Sequence, residues 1–189
     1  MSRRIFIPTT NDAADWRKLL ADPEKHWRTG FSAKALAYCW ESADGFPSEV
    51  ELLFSQSEIP AFQQIQLLLA FPEHQVVMPP RSGHPSQNDL FALAKASDGQ
   101  LIAMTIEGKV SEPFGETLGE WNAKASRGKT ERLAFIQDQL GLTGQLPQHI
   151  RYQLFHRTVS AVIEAARFNA SNAAMIVHSF NQSDLWFDD

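Results

Sequence analysis

The dipeptide Asp98-Gly99 constrains this chain more than any other feature, because it stands between two apolar runs, Asp89–Ala96 and Leu101–Val110. A tight turn between paired strands needs residues that tolerate positive φ, and Asp-Gly in such a place is a strong hairpin signal. With the turn centred between Asp98 and Gly99, facing residues have numbers summing to about 197, so Asp89 falls opposite Gly108 and is flanked by Glu107 and Lys109. Side chains alternate along a strand. Glu107 and Lys109 therefore share a face with Ala103 and Thr105, while Ile102, Met104, Ile106 and Val110 form the other, core-facing side.

Helical patterns precede this hairpin. Asp12–Ala21 reads as a first helix, Ser32–Glu41 as a second capped by Ser32, and Glu49–Phe54 as a third begun by Ser48. Pro60 opens a short helix over Ala61–Ala70 that Pro72 ends, and His74–Met78 reads as a strand stopped by Pro79-Pro80. After Ser111 the stretch containing Pro113, Gly115, Gly119 and Gly128 is predicted to be an irregular, functional loop. Helices follow at Thr130–Leu140 and Ile150–Phe168, then a buried strand at Ala173–His178. The longer helix carries an apolar stripe of Phe155, Val159, Val162 and Ala166. Beside it runs a polar stripe of Gln153, His156, Arg157, Ser160 and Glu164, read as facing either a site or solvent. Strands mixed with helices in 189 residues predict a single α/β domain.

Charge is unevenly placed. The net charge is −5, which speaks against a general polyanion binder, yet Glu41–Pro80 has six acidic residues and no lysine or arginine, whereas Trp121–Ala170 has seven basic residues against three acidic ones. Half of the surface can thus face phosphate, or the charges can simply be solvated. No run approaches the roughly 20 apolar residues of a membrane span. Ile5-Phe6-Ile7 is too short for a secretory signal core, and the single cysteine, Cys39, cannot form an internal disulfide. A soluble, cytoplasmic protein with no membrane partner is expected. There is no dinucleotide fingerprint, phosphate-cradling glycine loop, nucleophile elbow or paired-histidine metal motif.

The chemistry lies at the open end of the hairpin. Two carboxylates, Asp89 and Glu107, offer the hard oxygens that Mg²⁺ prefers, and Lys109 beside them can orient or deprotonate a water or stabilise charge on a phosphorus centre. The plain alternative is a surface ion-pair cluster. Glu112 and Glu116, in the loop that follows, either approach the metal or face water.

Asn88-Asp89, an apolar strand, a turn, a second strand and then Glu107-Gly-Lys109 resembles the motif of the PD-(D/E)xK nuclease superfamily, with Asn88 in place of the usual proline. The runs Ser86–Phe91, Glu107–Gly115, Arg151–Arg157 and Val177–Phe180 look like a family of uncharacterised bacterial proteins with this core. The resemblance implies a restriction-endonuclease-like α-β-β-β-α-β core over about residues 49–180, a mixed sheet flanked by helices, with extra N-terminal helices. It implies Asp89 and Glu107 as ligands of Mg²⁺ or Mn²⁺, Lys109 as the catalytic lysine, and an additional acidic ligand from the first core helix, Glu49 or Glu51. Gln153, His156 and Arg157 become auxiliary or nucleic-acid-binding residues. The implied activity is metal-dependent hydrolysis of phosphodiester bonds in nucleic acid, with a homodimer open. The competing expectation is a non-catalytic binding or regulatory module that keeps the fold.

Overall fold

A computed structural model describes residues 11–181; Ile5–Ile7 and the aromatic C-terminal tail with Trp186 lie outside the described residues. A 3₁₀ helix, Ala13–Leu19, and a single helical turn, α1 (Pro23–His26), lead to α2 (Ser32–Glu41) and α3 (Ser48–Ser55). A 3₁₀ turn, Pro60–Phe62, follows. Three strands come next, β1 (Gln66–Val76), β2 (Ser86–Lys95) and β3 (Leu101–Lys109), then α4 (Leu118–Asn122), α5 (Arg127–Gln139), α6 (Tyr152–Phe168) and β4 (Asn172–Ser179). The protein is mixed α/β. Its four-stranded sheet has the order β1-β2-β3-β4, antiparallel for the first two pairs and parallel between β3 and β4. Among the described residues no helix is long and apolar enough to cross a membrane.

The hairpin forms at Asp98-Gly99, but with a three-residue connection. Gly99 has φ +87°, its N–H reaches Ala96 O at 2.9 Å, and Ala96 N–H reaches Gln100 O at 2.8 Å. This is a turn followed by a left-handed residue, which shifts the centre by half a residue relative to a two-residue turn. Leu90 pairs with Ile106 and Ala94 with Ile102, so one step beyond the ladder Asp89 faces Glu107, not Gly108. Asp89 Oδ2 instead accepts the Gly108 N–H at 2.8 Å.

Residues 66–70, expected in a helix, belong to β1, which runs straight through Pro72. Pro72 is tolerated because β1 is an edge strand, where a missing donor disturbs no further neighbour. The first predicted helix is a 3₁₀ segment capped by Asp12. Neither Ser32 nor Ser48 caps its helix by a side-chain hydrogen bond. The loop after Ser111 is also more ordered than its glycines suggest. Thr117 and Glu120 form a reciprocal capping box that starts α4. Backbone bonds Leu118 N–H to Ile150 O and Tyr152 N–H to Glu116 O then tie this segment to the entry of α6.

Helices cover both faces of the sheet. Ile102, Met104 and Ile106 of β3 pack with Leu36, Ala37 and Trp40 of α2 and with Val50 and Phe54 of α3. On the opposite face Phe91, Leu93 and Ala103 meet Ala165 of α6, with Phe168 packed against them. The polar stripe of α6 turns inward onto the sheet: Arg157, Ser160 and Glu164 are buried. It meets a polar strand surface, where Thr105 Oγ1 donates to Arg157 O at 2.9 Å and His74 Nε2 lies 3.4 Å from Glu164 Oε2. A buried polar stripe on a helix is stable only against groups that satisfy it.

Candidate functional site

The register that places Asp89 across from Glu107 puts two carboxylates at the open end of the hairpin, under the first turns of α6. Glu107 is 3% exposed, and each of its oxygens is occupied. Lys109 Nζ donates to Oε1 at 2.7 Å, Gln153 Nε2 to the same oxygen at 2.5 Å, and Arg157 Nε to Oε2 at 2.6 Å. Lys109 is itself 8% exposed, with its Nζ 5.0 Å from the centre of the Phe114 ring. A buried carboxylate held by two cations and an amide has a fixed rotamer, which is what a metal ligand or a charge-positioning group requires.

Asp89, Glu107, Gln153 and Arg157 line a cleft of about 450 Å³, together with Glu73, Gln87, Glu112 and residues of the N-terminal helices. Glu73 was missed in the sequence. Its neighbours pair as Pro72 with Leu90 and His74 with Asn88, which brackets Glu73 directly across from Asp89. Its backbone is left-handed, φ +52°, an uncommon state for a residue with a Cβ and one that concentrates at functional positions. Gln87 Nε2 donates to its Oε2 at 2.5 Å. Reading Pro72 as an edge-strand proline would have exposed Glu73, because alternation then places it beside Asp89.

The carboxylates of the cleft are crowded. Burial, and then the Glu107 charge, push Asp89 well above the ordinary carboxyl range against the opposing pull of Arg157. Burial pushes Glu73 up to about 7, although Gln87 and Arg157 oppose it. Glu112 behaves differently. Burial pushes its carboxyl up, but hydrogen bonds centred on Ser32 and Val110 outweigh that and hold it below its usual value. Its Oε1 accepts the Ser32 N–H at 2.9 Å and Oε2 the Val110 N–H at 3.1 Å, so Glu112 supplies the cap that α2 lacks at its own start. Gly108 permits this approach of α2, since a Cβ there would lie 3.1 Å from Ser32 Cβ.

Glu49 and Glu51 do not line the cleft. Both are exposed on α3, where Glu49 accepts from Ser48 Oγ at 3.0 Å and sits in the electrostatic neighbourhood of His178. The inward face of α3 is the apolar one, carrying Val50 and Phe54.

Lys109 faces a second depression, of about 320 Å³, with Phe114, Glu116, Trp121, Tyr152, Gln153 and His156. Gln153 lines both spaces and forms the wall between them. His156 is held by Ser86: the two lie 2.8 Å apart through Oγ and Nδ1, and Arg157 Nη1 donates to the same Oγ at 3.1 Å. The hydroxyl oxygen accepts from Arg157, and the Ser86–His156 hydrogen bond holds the imidazole in place through Nδ1. Burial and the nearby Arg157 and Arg132 push His156 down to about 3, so the ring is neutral near pH 7.

Among the described residues no three His, Cys, Asp or Glu side chains form a ready-made metal cage. Mg²⁺ needs less, since one or two carboxylates with waters and substrate phosphate complete its shell. Asp89 takes one hydrogen bond, on Oδ2, and its other oxygen has no donor among the described residues. Around it stand three carboxylates, Glu73, Asp89 and Glu107, against two cations, Lys109 and Arg157. Two of those carboxyls are pushed toward holding protons, first by burial and then by neighbouring negative charge, and a bound cation would relieve both. In donor chemistry the residues fit a divalent cation.

The fold and site define an α/β protein with a carboxylate, lysine and arginine cluster at the end of a mixed sheet. Residues 9–189 match the model of a family described as a domain of unknown function, DUF6946, and the chain belongs to that family. No curated protein and no solved structure matches it.

Proposed function

We propose that the protein is a divalent-metal-dependent phosphodiesterase that hydrolyses nucleic acid, built on a restriction-endonuclease-like core. The observation that carries this reading is the meeting of Asp89, Glu107 and Lys109 across one β-hairpin, beside a proton-seeking carboxylate pair in an open cleft. The element order, a helix, three strands, then α4, α5 and α6 before the last strand, and the parallel pairing of β4 with β3 are in keeping with that core when α6 is taken as its second helix. Asp89 and Glu107 would hold the cation, with Glu73 as the third acidic group. When bound, the cation supplies neutralisation of the negative charge on the phosphate oxygens.

The chain's own residues do the rest. Arg157 and Gln153 fix the Glu107 carboxylate, so it meets the substrate without reorganising. The free oxygen of Asp89 orients the attacking water. Lys109, tied to Glu107 and lining the neighbouring depression, would stabilise charge that builds on the phosphate oxygens as the water oxygen bonds to phosphorus and the opposite ester bond breaks. The water's proton passes to the Asp89 carboxylate, and the departing oxygen takes one from solvent.

The experiment is cleavage of plasmid, linear and single-stranded DNA and of RNA with Mg²⁺ or Mn²⁺, comparing wild type with Asp89→Ala and Lys109→Ala. Metal-dependent cutting lost in both folded variants upholds the reading. A second reading, a non-catalytic binding module, is favoured by one feature: both Glu107 oxygens are satisfied by protein donors alone. Absence of cutting on every substrate, with no thermal shift on adding either metal, would select it.

A further inference from the structure

Beyond the acidic cleft, the depression that Lys109 faces shares Trp121, Tyr152 and His156 with a third hollow of about 440 Å³, whose lining includes Lys129, Arg132, Ser126 and Pro80. Together they make one groove leading away from Gln153. Three rings run along it. Trp121 and Tyr152 are parallel, with centroids 3.9 Å apart and planes at 12°, and His156 follows 4.9 Å from Tyr152. Lys129 Nζ sits 4.9 Å from the Trp121 ring centre, and Arg132 spans the opposite wall, donating to Pro79 O at 2.9 Å and His84 O at 2.8 Å. Neither cation pairs with a carboxylate among the described residues, and no carboxylate lines the third hollow. His156 adds a neutral imidazole between the rings and the cations.

We propose that this groove seats the unpaired nucleotides adjoining the phosphate held at Asp89 and Glu107, which makes single-stranded nucleic acid the substrate class. The inference rests on the phosphodiesterase reading for its neighbouring site. Three properties converge on a single strand. Trp121 and Tyr152, partly buried and stacked on each other, still present ring surface to both hollows, and such surface suits unstacked bases, since a duplex keeps its base faces covered. Lys129, whose Nζ donates to Trp121 O, and Arg132 keep their charge uncompensated by any carboxylate among the described residues, which suits a phosphate backbone that passes the rings. Hollows of about 320 and 440 Å³ are in the range that holds one small ligand each, not the breadth of a double helix. The groove is fixed by the sequence on both sides: the Thr117–Glu120 capping box aims Trp121, and the first turn of α6 presents Tyr152 and His156 at i and i+4.

Fluorescence anisotropy with a labelled single-stranded thymidine 12-mer and a labelled 12-base-pair duplex, both in EDTA so that nothing is cut, tests the proposal on the whole protein. The expectation is at least tenfold tighter binding of the single strand. Trp121→Ala should weaken it about 5- to 150-fold, the worth of one base stacked on an aromatic ring. Because Trp121 also packs beside Leu118 and Ile136, Lys129→Gln is the second variant. It should flatten the slope of log Kd against log salt by about 0.7 for the single strand, a readout that packing does not move. Equal affinity for strand and duplex, no binding of either, or an unchanged salt slope in Lys129→Gln overturns the groove assignment. Loss of the phosphodiesterase reading shows elsewhere, as absence of metal-dependent cutting. A protein that cuts normally with an inert groove sinks this inference alone.

Discussion

Two depressions meet at Gln153 and differ in almost every respect. The cleft on the Asp89 side is lined by four carboxylates, Glu73, Asp89, Glu107 and Glu112, and two of them are pushed toward protonation. The groove on the Lys109 side ends in a hollow with two cations that have no carboxylate partner among the described residues, and no carboxylate lines it. A net charge of −5 therefore says little about what the surface offers at any one place. The acidic segment Glu41–Pro80 contributes only Glu73 to the cleft, and the other three carboxylates come from β2, β3 and the loop behind them. The basic segment Trp121–Ala170 divides its charges, sending Lys129 and Arg132 to the groove and Arg157 to the cleft. Separation of this kind gives the two depressions opposite electrostatic character within one small domain.

The strongest way to break the comparison is through the arginines. Arg157 is the guanidinium that neutralises buried Glu107, so Arg157→Leu should lower stability by about 3–5 kcal/mol, the usual cost of leaving a buried charge without its partner. Arg132 has no carboxylate partner among the described residues and donates to backbone carbonyls of the Met78–His84 segment, and Arg132→Leu should cost about 1–3 kcal/mol. Urea denaturation midpoints measure both. Equal losses would mean that the two arginines do the same structural work and that charge pairing is not what separates cleft from groove.

Lysines sharpen the contrast in function. Lys109→Ala should reduce the rate of cutting about 10²- to 10³-fold at saturating substrate, as expected for loss of a group that meets developing charge. Lys129→Ala should raise KM and leave kcat close to wild type. A fall in kcat from both would make the two depressions a single catalytic surface.

Protons distinguish the regions next. Glu73 has its pKa raised from 4.5 to about 7 on folding, so the folded state holds more protons across that window and stability declines as pH rises through it. His156 runs the opposite way. Its pKa falls from 6.5 to about 3, so it adds stability that is present above the unfolded value and lost as pH falls. The wild-type curve is thus partly flattened between these limits, and Glu73→Gln isolates one contribution. That variant should be more stable than wild type at pH 8 by about 1–3 kcal/mol and indistinguishable from it at pH 4.5. Thermal melts at several pH values check this, and Mg²⁺ should raise the wild-type Tm more at pH 8 than at pH 5.5, where protons compete for the same oxygens. A pH-independent difference would remove the crowded-carboxylate account of the cleft.

Much of this arrangement was legible in the sequence where local chemistry decides it. Asp98-Gly99 fixed a hairpin, and alternation then placed Glu107 and Lys109 on the face that meets α6. The turn's extra residue was not legible, because Asp-Gly serves two- and three-residue connections alike, and half a residue of register decides whether Asp89 faces Gly108 or Glu107. Glu73 was hidden by Pro72, which reads as a helix stop unless the strand is known to lie at an edge. The polar stripe on α6 was visible as a stripe, but its inward direction depends on Thr105, His74 and Glu107 waiting on the sheet. That is a tertiary fact which no helical period contains.

The smallest predicted effect lies where the cleft borrows from the fold. Glu112 receives N–H groups from Ser32, Val110 and Ser111, joining the start of α2 to the end of β3. A cap of this kind contributes about 0.5–2 kcal/mol, and a carboxylate at a helix start gains from the dipole as well. Glu112→Ala should therefore lower stability by about 1 kcal/mol. Because Gly108 packs against Ser32, loosening α2 also disturbs the N–H that Asp89 Oδ2 accepts, whereas the third hollow is lined by the loop before β2, by Ser86 and by residues at α4, α5 and α6, and by none of these groups. The variant should then bind single strands in EDTA as wild type does while cutting them more slowly. Weakened binding with unchanged cutting would reverse the assignment of the two depressions.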